Sequence, residues 1–96
     1  MKKTYNKDRS KCRVTFELPA EIEAKKVALC GDFNEWDQSK NMLKKRKAGH
    51  FSTTITLTPG KYRYRFLLDD KKWENDWSAE EYAPNEFGTE DSIIVI

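Results

Sequence analysis

Apolar and polar side chains alternate with a period of two through most of this chain of 96 residues. Such a period puts every second side chain on a buried face and the others in solvent, which predicts half-buried β-strands. The clearest case is residues 62–68, where aromatic residues alternate with arginine, and similar patterns run through residues 12–18 and 51–57. Residues 27–30 are apolar throughout, which predicts a central strand covered on both faces.

Turn-forming residues separate these segments. Pro59 fixes its own φ and Gly60 accepts a positive φ, so the pair predicts a turn. A short strand is predicted for residues 42–47, a chain return at Trp73, and a final strand for residues 92–96. About seven strands with hardly any helical periodicity predict an all-β fold, an antiparallel β-sandwich.

Length and charge constrain the domain organisation and the partners. The chain is long enough for one domain, and we expect a flexible amino-terminal tail over residues 1–10 and a β-sandwich over residues 11–96. A net charge of +2 gives no argument for nucleic acid or an acidic membrane as partner. The basic start has no apolar segment behind it, and no run is long enough to span a bilayer, so we expect a soluble, cytoplasmic protein.

The two cysteines, Cys12 and Cys30, both fall on the apolar side of a strand pattern. Buried free thiols that behave as small hydrophobic side chains are favoured over a disulfide in a chain with no export signal. Neither cysteine has a neighbouring His or a second Cys at close spacing that would make it a nucleophile.

The stretch Gly31-Asp32-Phe33-Asn34-Glu35-Trp36-Asp37 follows the apolar run and is read as a structured turn. Its tryptophan stands among acidic and amide residues. A large aromatic side chain in so polar a loop either folds back over the core or lies at the surface as a platform for a ligand. From composition alone, partial burial at the rim of the sandwich is the commoner outcome.

Four segments, in this order along the chain, resemble one known family, the glycogen-binding modules of the isoamylase early-set type (carbohydrate-binding module family 48). This family includes the glycogen-binding domain of the AMP-activated kinase β subunit and the amino-terminal domains of branching and debranching enzymes. The segments are Val-Ala-Leu-Cys-Gly-Asp-Phe-Asn-Glu-Trp (27–36), Pro-Gly-Lys-Tyr-Arg-Tyr-Arg-Phe-Leu-Leu-Asp (59–69), Trp73, and Pro-Asn-Glu-Phe-Gly-Thr-Glu-Asp-Ser-Ile-Ile-Val (84–95).

The resemblance implies an immunoglobulin-like sandwich and a set of sugar-binding residues. It puts the sugar platforms at Trp36 and Trp73 and a basic hydrogen-bond donor at Arg65. Further contacts fall in the loop before the last strand, at Phe87, Thr89 and Asp91. Asp91 stands where the family has an amide; since a carboxylate only accepts, a sugar hydroxyl would have to be the donor there.

The function implied is non-catalytic binding of an α-1,4-glucan polymer such as glycogen or starch, or of a malto-oligosaccharide. The alternative is an early-set domain that has lost sugar binding and docks to a partner, such as a glycogen-metabolising enzyme or a kinase. No cofactor or metal is implied. Catalysis is not expected, because His50 is the only histidine and no nucleophile motif surrounds it.

Three other features have simpler interpretations. Trp77 and Tyr82 are expected to pack at the rim. Arg63 is expected to be a solvated strand residue paired with a carboxylate. The run of four basic residues at 44–47 resembles a nucleic-acid patch, but an exposed strand whose lysines prevent edge-to-edge association is preferred.

Overall fold

The computed structural model describes residues 1–96 and contains nine β-strands and one 3₁₀ turn. In chain order these are β1 (Lys2–Tyr5), β2 (Cys12–Leu18), β3 (Val27–Gly31), the 3₁₀ turn (Asp32–Asn34), β4 (Lys44–Lys45), β5 (Phe51–Leu57), β6 (Lys61–Leu68), β7 (Lys72–Glu74), β8 (Glu81–Pro84) and β9 (Glu90–Val95). One sheet has the order β1-β2-β5-β4 and the other has the order β3-β6-β9-β8, with β7 paired to β6. All pairings are antiparallel, so the predicted β-sandwich is confirmed.

The core lies between the two sheets and is built from the apolar positions of the alternating strands. In β2 the buried and solvent-facing positions alternate as the sequence predicts. In β6, Tyr64 and Phe66 are fully buried. The ring of Tyr64 meets that of Phe16 edge to face, with centroids 5.0 Å apart at 69°, a favourable arrangement of aromatic pairs.

Strand β3 is buried at every position, as predicted, but it is not central. It stands at one end of its sheet. The following segment covers its free edge: the Leu29 N–H donates to the Asn41 carbonyl at 2.8 Å, and the Leu43 N–H donates to the Val27 carbonyl at 2.9 Å. The strand is therefore hydrogen-bonded on both sides, although only one neighbour is a named strand.

Two strands, β1 and β8, were not predicted by the hydrophobic pattern. Residues 1–10 are expected above to form a flexible tail, yet Lys2–Tyr5 pairs with β2 over its whole length. Both are outer strands of their sheets, where one edge meets solvent and the alternation of apolar residues is weak. Pro84, which lacks an N–H, is tolerated in β8 for the same reason.

Both cysteines are free and buried, as expected. The basic residues 44–47 are exposed, and β4 lies at the end of its sheet. The structure contains no helix with the length and apolar character needed to cross a membrane.

Candidate functional site

The outer face of the sheet β3-β6-β9-β8 carries a second, smaller apolar cluster. Ala28, Cys30 and Leu67 are buried there. They share this face because Ala28 pairs directly with Leu67 in the register of β3 and β6, and Cys30 is two residues further along β3. The side chains that cover the cluster are themselves only partly buried: Trp36, Met42 and Trp73.

The turn that delivers Trp36 begins at a glycine that has no room for a side chain. A Cβ on Gly31 would lie 2.6 Å from the carbonyl oxygen of Arg63, so only glycine allows β3 to approach β6 this closely. The buried side chain of Asn34 then closes the turn. It accepts a hydrogen bond from the Gly31 N–H at 3.0 Å and donates to the Leu29 carbonyl at 2.8 Å.

Trp36 itself has an uncommon backbone conformation. Its φ is 58° and that of Glu35 is 57°, in the left-handed region that a bulky residue occupies at a cost of order 1–3 kcal/mol. Two contacts hold it there: the Trp36 N–H donates to the Gly31 carbonyl at 2.9 Å, and the indole Nε1–H donates to Asp32 at 3.0 Å. The second carboxylate oxygen of Asp32 accepts from the Arg63 backbone N–H at 2.9 Å, which ties the indole to β6.

Trp73 is delivered by a tight hairpin between β6 and β7. Asp69 and Asp70 have φ of 51° and 59°, as the central residues of a type I′ turn require, and aspartate is among the residues that tolerate this conformation. The register then pairs Trp73 with Leu67, which puts the indole on the outer face of the sheet.

The two indoles lie together on one flank of the sandwich. Their ring centroids are 6.1 Å apart and the ring planes are inclined at 67°. Neither ring is sealed inside, since Trp36 and Trp73 are both partly exposed. The two rings therefore meet edge to face, and both remain in part accessible to solvent.

Arg65 lies beside this pair. Its guanidinium carbon is 5.7 Å from the centroid of the Trp73 ring, within the range of a cation–π interaction. Its Nε–H is buried and has no hydrogen-bond partner in the protein. The terminal nitrogens of Arg65 make no hydrogen bond within the protein either, and because the residue lines the groove described below, they can donate to a ligand oxygen there.

Arg63, two residues earlier on the same face, is engaged within the protein. Its guanidinium donates to the Pro84 carbonyl at 3.1 Å and to the Asp91 carboxylate at 3.2 Å. Asp91 is almost fully buried, and its other oxygen accepts from the Asn85 amide at 3.1 Å. A sugar hydroxyl at Asp91 would compete with Arg63 and Asn85, so direct sugar contact by Asp91 stays a prediction.

Asn85 also shapes the loop that presents Phe87. Its side-chain oxygen accepts from the Phe87 N–H at 3.0 Å, and its amide donates to the Thr89 hydroxyl at 2.8 Å. The loop carries Phe87 outward, where its side chain is 80% exposed. So exposed an aromatic ring, on a loop fixed by its own hydrogen bonds, is available to a ligand.

These elements enclose one open groove of about 910 Å³. The structure brings together all the site residues named from the sequence, because Trp36, Arg65, Trp73, Phe87, Thr89 and Asp91 all line it. Other lining residues were not named as site residues: Asp32, Arg63, Pro84, Asn85 and Glu86. Strand alternation would have found Arg63, since it shares a face with Arg65.

A buried thiol lies under the indoles. Burial raises the pKa of the Cys30 thiol to about 11, and the nearby Asp37 carboxylate adds to the rise. The thiol therefore stays protonated at neutral pH and serves as a small apolar group in the cluster that Trp36 and Trp73 cover.

A β-sandwich that carries partly exposed indoles and a guanidinium along an open groove has the features of a carbohydrate-binding module. Residues 12–96 match the family described as the glycogen recognition site of AMP-activated protein kinase. The chain belongs to this family, which confirms the resemblance stated above.

The chain is also similar to a much longer plant protein. Protein PTST homolog 2, chloroplastic, from Arabidopsis thaliana is 32% identical over 75 residues, which cover 76% of this chain. The same alignment covers 13% of the plant protein, so the chain corresponds to a small part of that relative's length.

Proposed function

We propose that this chain binds α-1,4-linked glucans of the glycogen and starch type in the groove, with glucose rings stacked on Trp36 and Trp73, and that it carries out no reaction on them. The observation that supports this most directly is the pair of partly exposed indoles, 6.1 Å apart, beside the guanidinium of Arg65 in the groove.

The chemistry of a glucose ring fits these surfaces. A pyranose has faces lined with C–H groups, which pack on the flat, electron-rich face of an indole. Its hydroxyls lie around the edge and need donors and acceptors in fixed positions. Arg65 can donate to them. The Thr89 hydroxyl at the groove wall donates its hydrogen to the Asn85 side chain at 3.1 Å and accepts from it at 2.8 Å, which leaves it one lone pair to accept from a sugar.

The angle between the indoles favours a curved polymer. Two rings inclined at 67° cannot both stack on successive units of a flat, straight chain. They can do so on a chain whose units turn relative to one another, and the α-1,4 linkage makes a glucan coil in this way. The inclination therefore supports an α-glucan over a straight β-1,4-glucan.

The expected affinity is modest. If each stack contributes roughly 1–2 kcal/mol and the polar contacts about as much again, net binding is about −4 to −6 kcal/mol. This corresponds to a Kd between about 1 mM and tens of micromolar. Such a module gains effective affinity when several copies, or several sites, engage one polymer.

The carboxylates of the groove support a binding role rather than glycoside hydrolysis. Asp32 accepts hydrogen bonds from Trp36 and from the Arg63 backbone, and Asp91 accepts from Arg63 and Asn85. A catalytic carboxyl group must be free to reach the glycosidic bond, whereas these oxygens are occupied by N–H donors of the protein itself.

A module of this kind would bring something else to the polymer. In the relative, which is far longer than this chain, the matching segment is joined to other parts of the protein. Here a separate partner, such as a glycogen-metabolising enzyme or kinase, would be the protein brought to the polymer. Should no glucan bind while a partner protein co-purifies with the chain, the alternative of a docking domain without sugar binding would replace this proposal.

The test is binding of β-cyclodextrin and maltoheptaose followed by tryptophan fluorescence and calorimetry. We expect saturable binding in the range given above and loss of measurable binding in Trp36→Ala, with the cooperative unfolding transition retained. A β-1,4-linked oligosaccharide is the control ligand and should not bind. No signal with millimolar α-glucan would refute the proposal.

A further inference from the structure

We propose that Trp77 is a second platform for the same α-glucan, outside the groove, so that one polymer engages the chain at two points. This inference rests on the proposed function. It starts from one departure from the expectation of rim packing, because the Trp77 side chain is 57% exposed, an unusual exposure for so large an apolar surface.

Hydrogen bonds of the preceding residue fix the position of the Trp77 backbone. The preceding residue, Asp76, is only 2% exposed. Its carboxylate accepts hydrogen bonds from the Tyr64 hydroxyl at 2.7 Å and from the Ser78 N–H at 2.8 Å, and its own N–H donates to the Ser92 hydroxyl at 2.9 Å. A side chain that follows so well anchored a residue is presented in a fixed direction, which lowers the entropic cost of binding to it.

The indole itself is also oriented. Its Nε1–H donates to the Glu74 carboxylate at 3.3 Å. Glu74 and Trp73 are neighbours on β7 and therefore project to opposite faces of that strand. Its hydrogen bond to Glu74 thus puts the Trp77 indole on the side of the three-residue strand away from Trp73, so a polymer bound at both platforms would have to pass over β7.

The surroundings of Trp77 suit a sugar better than a protein. The indole borders a shallow hollow of about 500 Å³ whose wall is mostly charged, with Glu21, Glu23 and Lys71 beside it. Charged groups around one flat apolar surface match the hydroxyls and the C–H face of a glucose unit. A stable protein interface needs a total buried area of about 1,200–2,000 Å², and this hollow, whose apolar lining is Ile22, Leu68 and Trp77 alone, is much smaller.

The experiment compares a long polymer with a short ligand. In native gels containing glycogen, Trp77→Ala should weaken retardation of the chain by about threefold to tenfold, the effect of losing one stacking contact. Its affinity for β-cyclodextrin should stay within twofold of wild type, since Trp77 does not line the groove and we expect the small ring to occupy the groove alone. Trp77→Phe keeps a flat ring and should retain most of the glycogen affinity. Trp36→Ala should lose both ligands.

The outcomes separate this inference from the proposed function. If wild type binds β-cyclodextrin and Trp77→Ala binds glycogen as well as wild type does, Trp77 is not a platform and only this inference fails. The same holds if Trp77→Ala lowers glycogen and cyclodextrin affinity equally, because the residue then acts through the groove. If Trp77→Ala instead abolishes self-association detected by sedimentation and leaves glycogen retardation unchanged, Trp77 belongs to a protein interface. If wild type binds neither ligand, both proposals fall.

Discussion

The two faces of the sheet β3-β6-β9-β8 are made by the same strands but are covered differently. On the inner face, Leu29, Tyr64 and Phe66 are fully buried beneath the opposite sheet. On the outer face, a small apolar cluster is covered by Met42, Trp36 and Trp73, and the two indoles remain partly exposed and border a groove. Alternation along the strands puts apolar side chains on both faces. The face packed against the opposite sheet is core, and the face covered only by a few side chains is the candidate site.

The two covers also differ in what they must achieve. The inner face must be filled to the density of a protein interior, where removal of a ring leaves a cavity. The outer face must hold two rings at a set angle. Mutations should therefore reduce stability on the inner face and binding on the outer face.

The largest effect is expected from Phe66→Ala on the inner face. Loss of a fully buried ring should lower the free energy of unfolding by about 3–5 kcal/mol, a large part of the stability of a small domain. Urea denaturation measures this directly. A loss below about 1 kcal/mol would contradict the view that the inner face is tightly packed.

Trp73→Ala on the outer face should reduce binding strongly and stability only slightly. We expect at least a tenfold loss of affinity for maltoheptaose, since one of two platforms is removed. The free energy of unfolding should fall by only about 1–2 kcal/mol, because the ring is partly exposed. Paired calorimetry and denaturation separate the two quantities. A variant that lost stability as Phe66→Ala does, but kept its affinity, would reverse the comparison.

Asp32→Ala should weaken binding without removing either platform. The variant deletes the acceptor of the Trp36 Nε1–H and of the Arg63 N–H, so the indole loses its fixed direction. We expect an affinity loss of about threefold to tenfold, from the loss of charge-assisted hydrogen bonds.

The measurement for Asp32 is the exciton couplet of the two indoles in circular dichroism, which depends on their mutual angle. The couplet should shrink in Asp32→Ala and partly return in Asp32→Asn, which retains one acceptor. An unchanged couplet with reduced affinity would assign Asp32 to a direct sugar contact instead.

The smallest effect concerns alkaline pH and the thiol under the indoles. The pKa of Cys30 in the folded chain, about 11, is above the ordinary value of about 8.5. Above about pH 8.5 the thiol ionises in the unfolded chain but stays neutral in the folded one, which favours unfolding. The free energy of unfolding is therefore unaffected by this group below about pH 8.5 and falls as the pH rises toward 11. Wild type should lose more stability than Cys30→Ala between pH 8 and pH 10 in urea titrations. Parallel curves for the two proteins would exclude this linkage.

The strands and their faces could be predicted well from the sequence because a period of two is a direct consequence of strand geometry. Tyr64 and Phe66 inward and Arg63 and Arg65 outward follow from that rule alone. The weak edge strand β1 was not predicted because its residues are polar and its pairing depends on β2.

The candidate site was predictable as a list of residues but not as a geometry. Family resemblance named residues that line the groove, whereas the angle of the indoles depends on positive φ at Glu35 and Trp36 and on the hydrogen bond to Asp32. The hydrogen bonds that Arg63 and Asn85 donate to the Asp91 carboxylate also depend on distances between residues that are far apart in the sequence or lie in a loop. No period or spacing in the sequence encodes such contacts.

The inclination of the two indoles has a consequence for ligand shape. A linear oligosaccharide samples many torsional states and must give up that freedom to reach both rings, whereas a macrocycle with the same number of glucose units has lost it already during synthesis. Ring closure should thus improve affinity without adding a single contact, and the gain should be visible as a less unfavourable entropy of association.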